Sequence, residues 1–319
     1  MEMLKNVKIG VIYGGDSPER EVSLASGTAV LKALEELDLK VEPLLVSSAL
    51  DAVSKVQSSR CDVFFVALHG SWGEDGRLQG ALDLLGKKYT GSGHESCALA
   101  MDKRVSKAIF ESCKIPTAPY VVLQRDKFLG NLNQKLEELL CLWQAVVVKP
   151  SGCGSTVGVT IARDVETICK GIREASQYDQ VLLVEKYIPG REITVTVWEE
   201  EGKVEALPIV EIIPKEGFYD YRAKYTSGIT RYQCPADLPD EVGARVKEVA
   251  VASHLALGCR VYSRVDIRLS EDGTPYVLEV NTAPGMTATS LVPKAASAKG
   301  WSFPELVARI VINSLRKYK

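Results

Sequence analysis

Two acids and an amide stand at alternate positions along the segment Arg264–Asn281, where apolar runs flank a turn-forming Asp272-Gly273 pair. A turn centred there predicts a β-hairpin with Asp266 opposite Glu279 and Arg264 opposite Asn281 on one face. The other face then pairs Val265 with Val280 and Ile267 with Leu278. Carboxylates directly opposite each other destabilise a sheet, so this face asks for a cation between them. Oxygen donors of this kind suit magnesium, which is usually shared with substrate phosphates. A solvated polar face with a slipped register is the alternative.

Four further segments carry groups that could do chemistry. Lys149–Gly158 leaves an apolar strand through glycines and hydroxyls. Such a loop can aim successive backbone N–H groups at phosphate oxygens, or be an ordinary hairpin turn. It is no Walker loop, because no Gly-Lys-Ser or Gly-Lys-Thr opens a helix. At the end of the run Val181–Gly190, Glu185 and Tyr187 share one face, where an acid and an aromatic body could hold an adenine; strand-end residues facing solvent are the plainer reading. Pro214–Pro235 lacks a period but carries four tyrosines and several cations, the character of a lid or binding loop. Gly14-Gly15 and His69-Gly70 both follow apolar strands, at the carboxyl ends where open α/β sheets bind ligands. A satisfied structural histidine is the alternative for His69.

The elements that must position these groups follow from periodicity. Strands at Val7–Tyr13, Val41–Val46 and Asp62–Leu68 alternate with helices near Ser23–Leu37 and Ala49–Gln57, the pattern of a parallel sheet with crossover helices. A helix Leu78–Leu85 and a short strand Lys88–Thr90 complete a first unit, 1–93, ending at Gly91–Gly93. A second unit, 94–185, holds a helix from near Asp102, a strand Ala118–Leu123, a helix Asn131–Leu142, and strands Ala145–Lys149 and Val157–Ala162. The third, 186–319, holds strands Glu192–Trp198 and Val204–Val210, a helix Asp240–Leu257, the acidic hairpin and a helix Pro304–Lys317. The 319 residues suffice for two or three domains, and a net charge of −2 offers no electrostatic footprint for nucleic acid. No apolar run reaches membrane-spanning length, and a buried strand begins almost at once, so a cytoplasmic protein is expected. Eight scattered cysteines without a Cys-x-x-Cys argue against structural zinc or a disulfide framework.

Taken in order, the motifs resemble the ATP-grasp superfamily and, within it, the D-alanine:D-alanine ligase family over nearly the whole chain. They run through Gly14–Ser23, Ala67–Gly70, Gly73–Gly80, Tyr89–Gly93, Met101–Lys103, Val148–Ser151, Phe218–Tyr221 with Ala223–Tyr225, and Glu279–Thr287. The resemblance implies an α/β (α+β) three-domain ATP-grasp fold whose N-terminal domain is a Rossmann-like parallel sheet. It implies ATP-dependent joining of two D-alanine molecules for peptidoglycan precursors. Lys103, Lys149, Glu185, Tyr187, Ile188 and Glu192 match ATP-binding positions. Asp266, Glu279 and Asn281 match ligands to two Mg2+ ions, for which Mn2+ could substitute. Glu19 and His69 match residues near the first D-alanine, Arg264 and the Gly285 backbone match the oxyanion corner, and Ser290 and Leu291 match the end that holds the second D-alanine. Ser155, Lys224 and Tyr225 match closing loops, with Tyr225 and Ser155 expected to meet Glu19. A homodimer is also implied.

The sequence departs from many relatives at Gly152-Cys153 and at Tyr187. A nicotinamide dehydrogenase is disfavoured because the first turn lacks Gly-x-Gly-x-x-Gly and the second strand ends without a ribose-binding acid. A non-catalytic nucleotide module is disfavoured by the intact acidic hairpin. Among ligases of this fold, Tyr225 favours D-alanine over D-lactate as acceptor.

Overall fold

The computed structural model describes residues 2–124, 132–215 and 229–318. Its chain begins β1 (Lys8–Gly14), α1 (Arg20–Glu35), β2 (Lys40–Val46), α2 (Ala49–Ser58) and β3 (Val63–Val66). These form a parallel sheet in the order β2-β1-β3, as the alternation predicts. Lys88–Thr90 contributes only one bridge, Tyr89 to Phe64, rather than a strand. The short helices α3 (Ser71–Glu74), α4 (Arg77–Leu84) and α5 (His94–Met101) lead into α6 (Lys103–Ser112), which Asp102 caps through the backbone N–H groups of Arg104 and Val105.

A second sheet, all antiparallel, is ordered β4-β7-β5-β6 from β4 (Tyr120–Gln124), β5 (Val146–Pro150), β6 (Thr160–Ala162) and β7 (Val181–Lys186), with helix α7 (Leu132–Trp143) between β4 and β5. The strand expected from Val157 starts only at Thr160. Ser155 and Thr156 before it have φ of 53° and 62°, left-handed values incompatible with a strand. Helix α8 (Val165–Ala175), capped by Asp164, packs on this sheet through Ile168 and Ile172.

The third sheet runs β11-β10-β8-β12-β13, with β9 also on β8. Its strands are β8 (Arg191–Glu200), β9 (Lys203–Ala206), β10 (Val210–Pro214), β11 (Thr230–Gln233), β12 (Tyr262–Leu269) and β13 (Pro275–Asn281), with α9 (Asp240–Ala256) across one face. The expected strand Val204–Val210 is broken into β9 and β10 at Leu207–Ile209, where Pro208 has no N–H for a ladder. Helices α10 (Leu291–Ala298) and α11 (Phe303–Arg316) return to the first sheet. Ile9 and Val11 of β1 share one core with Val292, Leu306 and Ile310, so the far ends of the described chain are packed together.

Candidate active site

A cavity of about 540 Å³ lies where the three sheets meet, and every described site residue expected from the sequence lines it. Pockets of this size hold small-molecule ligands.

The acidic hairpin forms one wall. Asp266 opposes Glu279 and Arg264 opposes Asn281, as the turn-centred register predicts. The pairing of Ile267 with Leu278 is corrected: Ile267 opposes Val277, because the register shifts after Asp266 and Leu278 becomes an extra residue. The displaced Leu278 lines the cavity beside Glu279. Arg264 donates from Nε and Nη2 to the two Asp266 carboxylate oxygens at 2.9 and 2.7 Å, and Thr194 Oγ1 donates to Oδ1 at 2.6 Å. Lys103 Nζ lies 3.0 Å from Glu279 and donates to the Cys153 carbonyl at 2.7 Å. Burial works most strongly to lower the Lys103 ammonium, but the charge and hydrogen bond of Glu279, with smaller help from Cys153 and Glu185, together hold the pKa above the ordinary lysine value. Two carboxylates and the Asn281 oxygen are a hard donor set, and each acid is already balanced by a cation that a metal could replace. Among the described residues no three histidine, cysteine or carboxylate side chains form a cation cage; a magnesium ion held by one or two carboxylates fills its shell with water or phosphate oxygens.

The second wall gathers β5, β7 and the start of β8. Glu185, only 2% exposed, places Oε1 at 2.8 Å from Lys149 Nζ and 3.4 Å from Lys107 Nζ. Burial alone would raise this carboxyl, but the two lysines hold it below the usual glutamate range. Tyr187 and Ile188 continue past the end of β7. Arg268 on β12 ties this corner together: it donates to the Ile188 carbonyl at 3.1 Å, the Glu192 carboxylate at 3.1 Å and the Tyr187 phenol oxygen at 3.3 Å.

Opposite them, the loops after β1 and β3 bring Glu19 and His69 to the cavity. His69 Nε2 lies 2.9 Å from Ser26 Oγ and Nδ1 lies 3.4 Å from Glu74. The Ser26 oxygen also accepts the Met286 backbone N–H at 3.1 Å. Ser26 thus bridges the His69 ring to the Met286 backbone, while Glu74 faces the other ring nitrogen. Both ring nitrogens are thus engaged by protein, which argues against His69 as a general base. Gly285 precedes the tethered Met286, and a Cβ on it would lie 3.3 Å from Ser290 Oγ. Ser290 and Leu291 open helix α10, whose first N–H groups and dipole favour a carboxylate.

Ser155 lines the same cavity in the glycine-rich loop, where a Cβ on neighbouring Gly154 would lie 3.4 Å from Glu19 Oε1. Lys224 and Tyr225 lie outside the described residues. Sequence reasoning missed Ser26, Glu74, Lys107 and Arg268. Lys107 stands one helical turn from Lys103, and Arg268 stands on the same strand face as Arg264 and Asp266, so both spacings were available.

The family described as D-ala D-ala ligase C-terminus matches residues 109–312, and its N-terminal counterpart matches 48–92. The chain is 46% identical over 305 residues to a D-alanine–D-alanine ligase of an Anaeromyxobacter species, covering 95% of this chain and 96% of the relative. A D-alanine–D-alanine ligase structure from Bacillus anthracis superposes with a TM-score of 0.86 at 38% identity, covering 98% of each chain. One from the same organism complexed with ATP gives 0.82 at 35% identity, covering 98% of this chain and 99% of that one. Agreement in sequence and fold over almost the full length leads to one assignment: the chain belongs to the D-alanine–D-alanine ligase family, on an ATP-grasp fold.

Proposed function

We infer that this chain joins two D-alanine molecules into D-alanyl-D-alanine at the expense of ATP, through an acyl phosphate, to supply peptidoglycan precursors. The observation that carries this reading is the convergence in one cavity of the hairpin acids, Lys103 and Lys149, and the Arg264–Gly285 corner. Phosphoryl transfer needs positioning and charge neutralisation more than covalent help, and these groups supply both. Adenine lies against Glu185, Tyr187 and Ile188, with the ribose toward Glu192 and the phosphates toward the lysines and the hairpin. Asp266, Glu279 and Asn281 would hold two Mg2+ ions, or Mn2+ in their place. Bound there, the metal neutralises phosphate charge and polarises the transferred group.

Glu19 holds the ammonium end of the first D-alanine, with His69 lining the pocket beside it, leaving the substrate's carboxylate to attack the γ-phosphate. ADP leaves, and the amine of the second D-alanine attacks the acyl carbon. Arg264 and the Gly285 N–H stabilise the resulting oxyanion, and phosphate departs. The second substrate's carboxylate rests at the start of α10 near Ser290 and Leu291. Ser155, Lys224 and Tyr225 close the site, since an acyl phosphate must be kept from water.

Residues 1–93, 94–185 and 186–319 form three units in this reading, supported by one sheet in each, although β7 runs on to Lys186 and α11 packs on the first sheet. The protein acts as a cytoplasmic homodimer on small substrates, without nucleic acid or membrane. No described helix is long and apolar enough to cross a bilayer.

Phosphate release from magnesium-ATP on adding D-alanine, with L-alanine as control and the product identified by mass, tests the assignment. D-alanine-dependent release with dipeptide supports it. Release that ignores D-alanine, or requires another acceptor such as D-serine or D-lactate, overturns the substrate assignment.

A further inference from the structure

Behind the cavity wall, Lys107 on α6 is fully buried and takes no part in the reaction described above. Its Nζ donates to Thr117 Oγ1 at 2.6 Å, stands 3.4 Å from Glu185 Oε1 and lies 5.0 Å from the Tyr120 ring centroid. Thr117 is itself fixed, because its hydroxyl donates to the Val277 carbonyl at 2.9 Å. One carboxylate oxygen therefore sits between two ammonium groups: Lys149 on the cavity side and Lys107 on the protein side. A buried amine is unusual and needs a reason.

The reason lies in what happens when Lys149 is drawn to phosphate, as the reading above requires. Glu185 would then be a buried acid deserted by its nearer partner, and such an acid takes up a proton. A protonated carboxyl donates a hydrogen bond, whereas recognition of a purine 6-amino group needs an acceptor. We propose that Lys107 is a positioning residue for nucleotide selection, holding Glu185 ionised and aimed at the 6-amino group of adenine after Lys149 has turned to the phosphates. Burial lowers the Lys107 pKa to about 8 while Lys149 is close, so departure of Lys149 strengthens the remaining pair. This inference rests on the placement of adenine at Glu185.

The test is kcat/KM with ATP and with ITP, whose base carries a 6-oxo group, at saturating D-alanine. Lys107→Met lowers the ATP-to-ITP ratio by about tenfold or more, through KM for ATP rather than kcat. Lys107→Arg restores much of the ratio, and Thr117→Val, which frees the amine from its tether and also removes the donor to the Val277 carbonyl, shifts it in the same direction by less. A ratio within about twofold of the parent in folded Lys107→Met overturns the proposal. If that variant does not fold, an unchanged ratio in Thr117→Val does so. Glu185→Gln separates the two layers of inference. If it changes the ratio while Lys107→Met does not, the adenine placement stands and the role of Lys107 fails. If Glu185→Gln leaves the ratio unchanged, the adenine placement fails.

Discussion

Arg264 and Asp266, two residues apart on one strand, are joined by two near-parallel hydrogen bonds of 2.9 and 2.7 Å. The arginine expected to receive the oxyanion thus occupies the carboxylate expected to bind metal. A metal ion on Asp266 would compete with this pair and, by loosening it, would free the guanidinium for substrate.

Arg264→Lys keeps the charge but loses the fork. It should lower kcat by about 100-fold or more, the scale of a lost oxyanion donor. It should also lower the Mg2+ concentration for half-maximal rate, because Asp266 is less firmly held. Phosphate release across a magnesium titration checks both, and an unchanged magnesium requirement would refute the competition.

Ser26→Ala removes the group that joins His69 to the Met286 N–H. KM for the first D-alanine should rise about tenfold with little change in KM for ATP, as expected for losing a charge-orienting hydrogen bond. Equal effects on both substrates would mean that the hydroxyl matters only to packing.

His254 is fully buried, with Nδ1 at 2.8 Å from Ser263 Oγ, and burial pushes its pKa from the ordinary 6.5 down to about 4. Between these values the unfolded chain binds the proton and the folded one does not, so stability falls as pH drops from 6.5 to 4 and levels off below. The loss should reach about 2 kcal/mol by pH 4.5. Urea unfolding at pH 7 and 4.5 should show a smaller difference in His254→Asn; an identical difference would exclude this histidine as the cause.

Gly27 on α1 faces Tyr13 on β1 so closely that a Cβ would lie 2.3 Å from the tyrosine Cβ. Gly27→Ala should cost about 2 to 3 kcal/mol. It should also weaken D-alanine use more than ATP binding, because α1 carries Ser26 and is preceded by Glu19. A thermal shift without a D-alanine effect would confine the contact to stability.

The parallel sheet and the hairpin's cavity-facing pairs were legible because period-two patterns and a turn fix them. The slip at Leu278 was not, since a bulge adds one residue without changing which types are apolar. Helix α8 carried a readable signature, Asp164 followed by Val165, Ile168 and Ile172, and was overlooked. Helix α10 was harder to read: Pro293 stands inside it, and Lys294 and Ser297 are its two polar residues, too few to set a period. Pro208 should have warned that Val204–Val210 could not be one strand. As for the site, charge opposition within the hairpin could be derived, while the meeting of Glu19, Glu185 and Ser290 came only from family resemblance, because no local pattern encodes contacts so distant in sequence.

The core that unites Ile9 and Val11 with Leu306 and Ile310 also governs the order of events at birth. A nascent chain can pair β1 with β2 early and lay α1 and α2 on the sheet, but it cannot close this core until α11 has left the ribosome. The loops bearing Glu19 and His69 hang from the same strands. That side of the cavity therefore matures with the arrival of a helix that contributes no residue to it, and a chain stopped before α11 would leave part of its first core open to chaperones and proteases.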